Sequence, residues 1–103
     1  MNAFIRGLCL ACALGVALPA NAAIKVLATT SDWGSLVTEL GGDKANVYTA
    51  TSPLQDVHRV DAKPSLVARA RSADLIVANG AELEIGWLPV LLQQSGNAKV
   101  QPG

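Results

Sequence analysis

The segment best suited to chemistry runs from Leu54 to Ser65 and contains the single histidine of the chain, His58. Two carboxylates, Asp56 and Asp61, flank this histidine closely. An imidazole nitrogen binds zinc and related metals, and a neighbouring carboxylate can fix the ring tautomer by accepting the other ring N–H. The segment therefore predicts either a metal-ligating histidine or an ordinary polar loop, and the surrounding elements must decide between them.

Other residues that could support catalysis or redox chemistry are scarce. Cys9 and Cys12 form a CxxC pair, which elsewhere binds zinc or exchanges electrons, but both lie in an apolar N-terminal run. Neither has the leucine three residues earlier that marks a lipoprotein cysteine. The sequence shows no serine–histidine–acid set and no glycine-rich phosphate loop. We expect a protein that is not an enzyme.

Residues 1–22 have the pattern of a secretory signal peptide. Arg6 supplies a positive start, Gly7–Leu18 is an uncharged apolar run of 12 residues, and Ala20–Ala22 fits a small-residue cleavage site. The apolar run is shorter than the roughly 20 residues that span a bilayer. We therefore expect export to the periplasm and a mature segment 23–103 that forms one partial α/β lobe.

Charge and composition exclude some partners. The formal net charge is zero, so no nucleic acid or anionic membrane surface is expected as a partner. Half of the residues are hydrophobic but only 4% are aromatic, which suits α/β layers packed through small aliphatic side chains.

Strand-like and helix-like segments alternate along the mature sequence. β-branched and apolar runs predict strands, and a three-to-four-residue apolar spacing predicts helices. Proline at the first turn of the second helix and a Gly-Gly pair after the first mark helix boundaries, and a proline inside the third predicts a kink or break. The predicted strands are 24–29, 46–51, 75–78 and 99–101, and the predicted helices are 33–40, 64–71 and 82–94.

The order β-α-β-α-β-α-β predicts an α/β fold with a parallel sheet, right-handed crossovers and helices on both faces. Ligands of such sheets bind beyond the carboxyl ends of the strands. Three polar segments follow the first three strands and should meet at that edge: Thr30–Asp32, the His58 loop and Asn79–Glu82. Position therefore favours a functional loop.

Two blocks of sequence resemble the substrate-binding proteins of zinc and manganese ABC importers. The first is D-x-H followed by five residues and P-S, which spans Asp56–Ser65. The second is A-D-L-I-V-x-N-G-x-x-L-E-x-x-W-L, which spans Ala73–Leu88. The resemblance covers essentially all of the mature segment but corresponds to roughly the first third of a full-length member. It identifies the chain as an N-terminal fragment of that family.

The resemblance implies two α/β lobes joined by a long helix, with the metal ion in the cleft between them. It assigns the first metal-ligating histidine to His58, and the transported ligand would be zinc or manganese. The other family ligands would lie beyond Gly103. The chain departs from the family pattern at Val57, where many members have proline, and at Arg59 and Val60, where many have an aromatic residue.

Neighbouring side chains have structural interpretations beside functional ones. Asp56 either orients the histidine ring or is a solvated turn acid, and Asp61 is expected to be a solvated charge. Arg59 and Lys63 should point away from a divalent cation into solvent. Glu84, with its neighbour Glu82, either complements a helix dipole or supports the cleft. The tryptophans, Trp33 and Trp87, are expected to pack in the core, although the first lies where it could line the cleft.

These observations predict a periplasmic protein that binds zinc or manganese for delivery to an ABC importer permease in the inner membrane. An alternative is a surface adhesion or interaction module, which would bind partner proteins without metal. A further alternative is a truncated, non-functional reading frame. The zinc and manganese alternatives stay open, because the ligands that distinguish them are absent from these residues.

Overall fold

The computed structural model describes residues 22–102, so the predicted signal peptide lies almost entirely outside the described residues. Within them, three strands and three α-helices alternate, and a 3₁₀ turn follows the first helix and another follows the third. No helix in this range is long and apolar enough to cross a membrane. The elements are β1 (Ile24–Ala28), α1 (Ser31–Gly41), a 3₁₀ turn (Gly42–Lys44), β2 (Ala45–Thr49), α2 (Pro64–Ser72), β3 (Leu75–Val77), α3 (Leu88–Ser95) and a second 3₁₀ turn (Ala98–Val100).

The three strands form a parallel sheet in the order β2-β1-β3, which confirms the predicted α/β class. Val26 of β1 aligns with Val47 of β2 and with Leu75 of β3. β1 is the central strand, and its last three positions, Val26 to Ala28, are all buried. All three strands therefore end at the same edge of the sheet.

The hydrophobic core lies between the sheet and the helix pair α2–α3. Leu27 from β1 meets Leu66 and Ala70 from α2 and Leu91 from α3 in this core. Pro64 occupies the first turn of α2, as predicted, because its missing N–H is not needed there. Trp87 joins the same cluster with 4% exposure, as the sequence predicted.

α1 packs closely against β2 through a glycine. A Cβ atom built on Gly34 would lie 2.2 Å from Thr49 Oγ1, so only glycine permits this approach. The predicted apolar face of α1 is incompletely covered, since Leu36 is 44% and Leu40 is 78% exposed. The apolar spacing predicted the helix correctly, but the buried residue of α1 is Gly34 and not one of the apolar residues.

The predicted fourth strand, 99–101, is wrong: the chain forms a 3₁₀ turn at Ala98–Val100. Asn97 explains the difference. Its side chain accepts a hydrogen bond from Lys99 N and donates to the carbonyls of Ala70 and Ala73 at the end of α2. Such local side-chain bonding stabilises turns over strands, and it holds the segment against the core.

The predicted helix 82–94 is also wrong in its first half. Gly80, Ala81 and Glu82 all have positive φ angles, so the chain after β3 forms left-handed turns. The helix begins only at Leu88, and Pro89 lies in its first turn rather than at an interior kink. β3 is also less buried than its apolar run predicted, since Leu75 is 50% exposed.

Candidate metal site

The His58 loop connects β2 to α2 and begins at the carboxyl edge of the sheet, as the sequence predicted. The His58 ring is accessible, with 60% of its side chain exposed. Its Nδ1 atom lies 2.8 Å from Asp56 Oδ1, and the same oxygen accepts the His58 backbone N–H at 2.9 Å. Asp56 therefore adopts the ring-orienting geometry that was one of its two predicted roles.

This pair defines how the imidazole can act. When Nδ1 carries the ring proton and donates a hydrogen bond to Asp56, Nε2 keeps its lone pair and can bind a metal ion. Nε2 makes no hydrogen bond with any of residues 22–102. The backbone N–H of His58, followed by its ring, lowers the pKa of Asp56 below the usual 3.8. Asp56 therefore stays an ionised acceptor through the neutral pH range.

The chain after β3 supports this loop from one side. The indole N–H of Trp87 donates to the carbonyl oxygen of Val57 at 2.6 Å. Gly86 lies close to the peptide group that follows His58, because a Cβ atom added to Gly86 would be 3.2 Å from His58 O. Val60 packs against the hydrophobic core. The loop is thus exposed at its tip and fixed at its base.

Glu84, which was expected at a helix start, is the centre of a buried polar network. Its side chain is 3% exposed and accepts hydrogen bonds from Thr29 Oγ1 at 2.5 Å, Asn79 N at 2.7 Å and Gly80 N at 3.1 Å. The helix-dipole interpretation of Glu84 is therefore wrong, because the helix begins only at Leu88 and the carboxylate is buried among strand-end donors. The network joins the carboxyl ends of β1 and β3.

A shallow cavity of about 240 Å³ opens at the same edge of the sheet. It is lined by polar groups from all three strand ends, including Thr30, Gln55 and Asn79. Trp33 donates its indole N–H to Asn79 Oδ1 at 2.8 Å, so its ring is tied to this edge. Pro53, Val57 and Leu83 complete the lining, and His58 is not part of it.

The remaining charged residues of the loop do not join the histidine. Asp61, Arg59 and Lys63 are exposed, as predicted for solvated charges. Among the described residues no three side chains of histidine, cysteine, aspartate or glutamate are grouped to hold a metal ion. The described residues therefore offer one oriented imidazole as a candidate ligand, whereas zinc in proteins takes about four ligands.

The Glu84 network was missed because its donors come from distant parts of the chain. Thr29 precedes Glu84 by 55 positions, and no local periodicity links the two. The one available signal was the segment N-G-A-E-L-E after a strand: two backbone N–H groups at Asn79 and Gly80, followed four or five residues later by an acid. That spacing matches a turn closed by a carboxylate.

The described residues thus form an α/β lobe with a parallel sheet, a fold in which ligands generally bind beyond the carboxyl ends of the strands. Residues 26–102 match the model of one family, ZnuA, described as zinc-uptake complex component A, periplasmic. The chain belongs to this family.

Curated relatives agree with the family match. The chain is 30% identical over 93 residues to the metal ABC transporter substrate-binding lipoprotein FimA of Streptococcus parasanguinis, covering 87% of this chain and 30% of FimA. It is 32% identical over 75 residues to the manganese ABC transporter substrate-binding lipoprotein ScaA of Streptococcus gordonii, covering 70% and 24% respectively. The chain thus spans less than a third of the length of these relatives.

Solved structures share the fold. A periplasmic metal-binding protein from Candidatus Liberibacter asiaticus, solved with manganese bound, superposes with a TM-score of 0.64 at 22% identity over 76% of this chain and 29% of that one. Zinc-bound AdcA from Streptococcus pneumoniae superposes with a TM-score of 0.61 at 24% identity over 77% and 17% respectively. These likenesses establish the architecture of the lobe.

Proposed function

We propose that this chain is the N-terminal part of a lobe that binds zinc or manganese in the periplasm for delivery to an ABC importer. His58 is the metal ligand, through Nε2. The observation that carries the proposal is the Asp56–His58 pair, which orients an exposed imidazole at the carboxyl edge of the sheet. Family membership supports the choice of a divalent metal as the transported substrate.

One imidazole and its carboxylate partner are too few for a tight site. Zinc takes about four nitrogen, oxygen or sulfur ligands, and manganese accepts more oxygen ligands and higher coordination numbers. We therefore propose that His58 supplies one ligand of a shared site, with the others on protein segments outside residues 22–102. On these residues alone, metal affinity is weak, and zinc and manganese are both accepted.

The location and partner follow from the same reasoning. Residues 1–22 direct export and are removed, and residues 23–103 form a partial lobe in the periplasm. The partner is the importer permease in the inner membrane, to which a loaded protein would release its metal. Relatives that carry the names of ABC transporter substrate-binding lipoproteins support this assignment of partner.

Paramagnetic broadening by manganese tests the assignment of His58. Because His58 is the only histidine in the sequence, its ring protons give an unambiguous NMR signal in the mature chain, residues 23–103. Substoichiometric Mn²⁺ should broaden this signal before those of Leu27 and Leu91 in the core. The matched control is Asp61→Asn, which removes a nearby exposed carboxylate and should leave the broadening of the ring unchanged.

Two results would contradict the proposal in different ways. Equal broadening throughout the chain would show that His58 is not a preferred ligand. Conversely, a tight stoichiometric zinc site on the secreted chain, abolished in His58→Ala, would show that the site is complete without further segments. Isothermal titration with Zn²⁺ distinguishes the second result from weak binding.

A further inference from the structure

We propose that Trp87 and Gly86 are positioning residues, which hold the His58 loop at a fixed height above the sheet edge. This inference deepens the proposed function, because it names what places the metal ligand. Neither residue offers a metal-ligating group, so both act through the backbone of the loop.

The contact made by Trp87 is the first observation. Its indole N–H donates to Val57 O at 2.6 Å, one residue before the histidine. Among the described residues, this is the only hydrogen bond that links residues 52–62 to another part of the chain; the others are local. Leu54 is fully exposed and the His58 side chain is 60% exposed, so besides this bond the loop is held chiefly by the packing of Val60 against the core.

The absence of a side chain at Gly86 is the second observation. A Cβ at this position would lie 3.2 Å from His58 O, closer than ordinary van der Waals contact. Alanine at position 86 would displace the peptide group between His58 and Arg59 by a few tenths of an ångström. Gly86 thus sets how closely the loop approaches the chain that supports it.

The supporting chain is itself anchored. Trp87 N donates to Glu84 O, and the Glu84 side chain binds the strand ends through Thr29, Asn79 and Gly80. The Trp87 ring is 4% exposed within the core. Because this supporting segment is fixed to the sheet, it holds the loop in a fixed position relative to the sheet. A mobile support would leave the His58 imidazole disordered.

Trp87→Phe removes the indole donor while keeping an aromatic ring in the core. Hydrogen exchange of the His58 and Arg59 amides, measured by NMR without metal, reports the order of the loop. Losing one hydrogen bond should speed their exchange roughly fivefold relative to β1 amides such as Leu27. The matched control is Trp33→Phe, which makes the same chemical change at the Asn79 contact and should alter the ratio less than twofold.

Gly86→Ala is a second variant, on an exposed turn, that tests the same placement without opening the core. It should shift the ring signals of His58 and weaken the selective broadening by Mn²⁺, while the midpoint of urea unfolding changes little. Two results together would contradict the proposal. In Trp87→Phe the loop amides and the β1 amides would exchange faster by the same factor, and in Gly86→Ala the His58 ring signals would not shift. Both residues would then stabilise the fold without positioning the loop. Because the exchange measurement needs no metal, its outcome is separate from that of the ligand assignment.

Discussion

Glu84 allows the sharpest quantitative prediction, since its partners are all identified. Glutamine at this position keeps the size of the side chain but replaces one acceptor oxygen with an NH₂ group. In the native glutamate, Oε2 accepts hydrogen bonds from Thr29 Oγ1, Asn79 N and Asn79 Nδ2, and Oε1 accepts one from Gly80 N. In either orientation of the amide, at least one backbone N–H faces another donor and loses its partner.

A buried donor without a partner costs about 1–3 kcal/mol. Both backbone contacts are only part-buried, so water recovers some of this, and Glu84→Gln should destabilise the fold by about 1–2 kcal/mol. Glu84→Ala removes all four hydrogen bonds and should cost about 2–4 kcal/mol by the same reasoning. The exposed neighbour Glu82 makes a matched control, and Glu82→Gln should stay within about 0.5 kcal/mol of the parent.

Urea unfolding followed by tryptophan fluorescence measures these differences. Sucrose in every sample would raise the stability of all variants and keep the folded baseline accessible. With an m-value near 1 kcal/mol per molar urea for so small a fold, the Glu84→Gln midpoint should fall by about 1–2 M. A midpoint within experimental error of the Glu82→Gln control would refute the inferred network.

Three further predictions concern stability and charge. Leu91 is fully buried, so Leu91→Ala should cost about 2–5 kcal/mol and leave the chain largely unfolded by circular dichroism. The Lys25 backbone N–H and then the Lys99 ammonium lower the pKa of Asp74. The ionised Asp74 therefore stabilises the fold above pH 3.8, and this stabilisation is lost as the pH falls through the lowered pKa of the folded state. An NMR titration should show that Lys99→Met raises the pKa of Asp74 only partly, because the larger cause remains. With both sheet edges open and apolar side chains exposed on α1 and β3, residues 23–103 alone should be marginally stable or aggregate, and a cooperative monomeric melt well above 50 °C would contradict this.

Local chemistry made part of the fold predictable. Pro64 begins α2 and Gly42, with a φ of +53°, follows the end of α1, because each residue's own backbone preference fixes the boundary. The Asp56–His58 contact spans two positions and is likewise local. The predictions failed where distant partners decide: Asn97 closes a 3₁₀ turn by bonding to the end of α2.

The sequence by itself determined an α/β lobe, a histidine loop after the second strand and a carboxylate able to orient the ring. Only the tertiary structure decided what supports that loop. Trp87 reaches Val57 across 30 positions and Glu84 reaches Thr29 across 55. These contacts exist because parallel strands bring their carboxyl ends together at one edge, and a linear pattern of residue types does not contain that proximity.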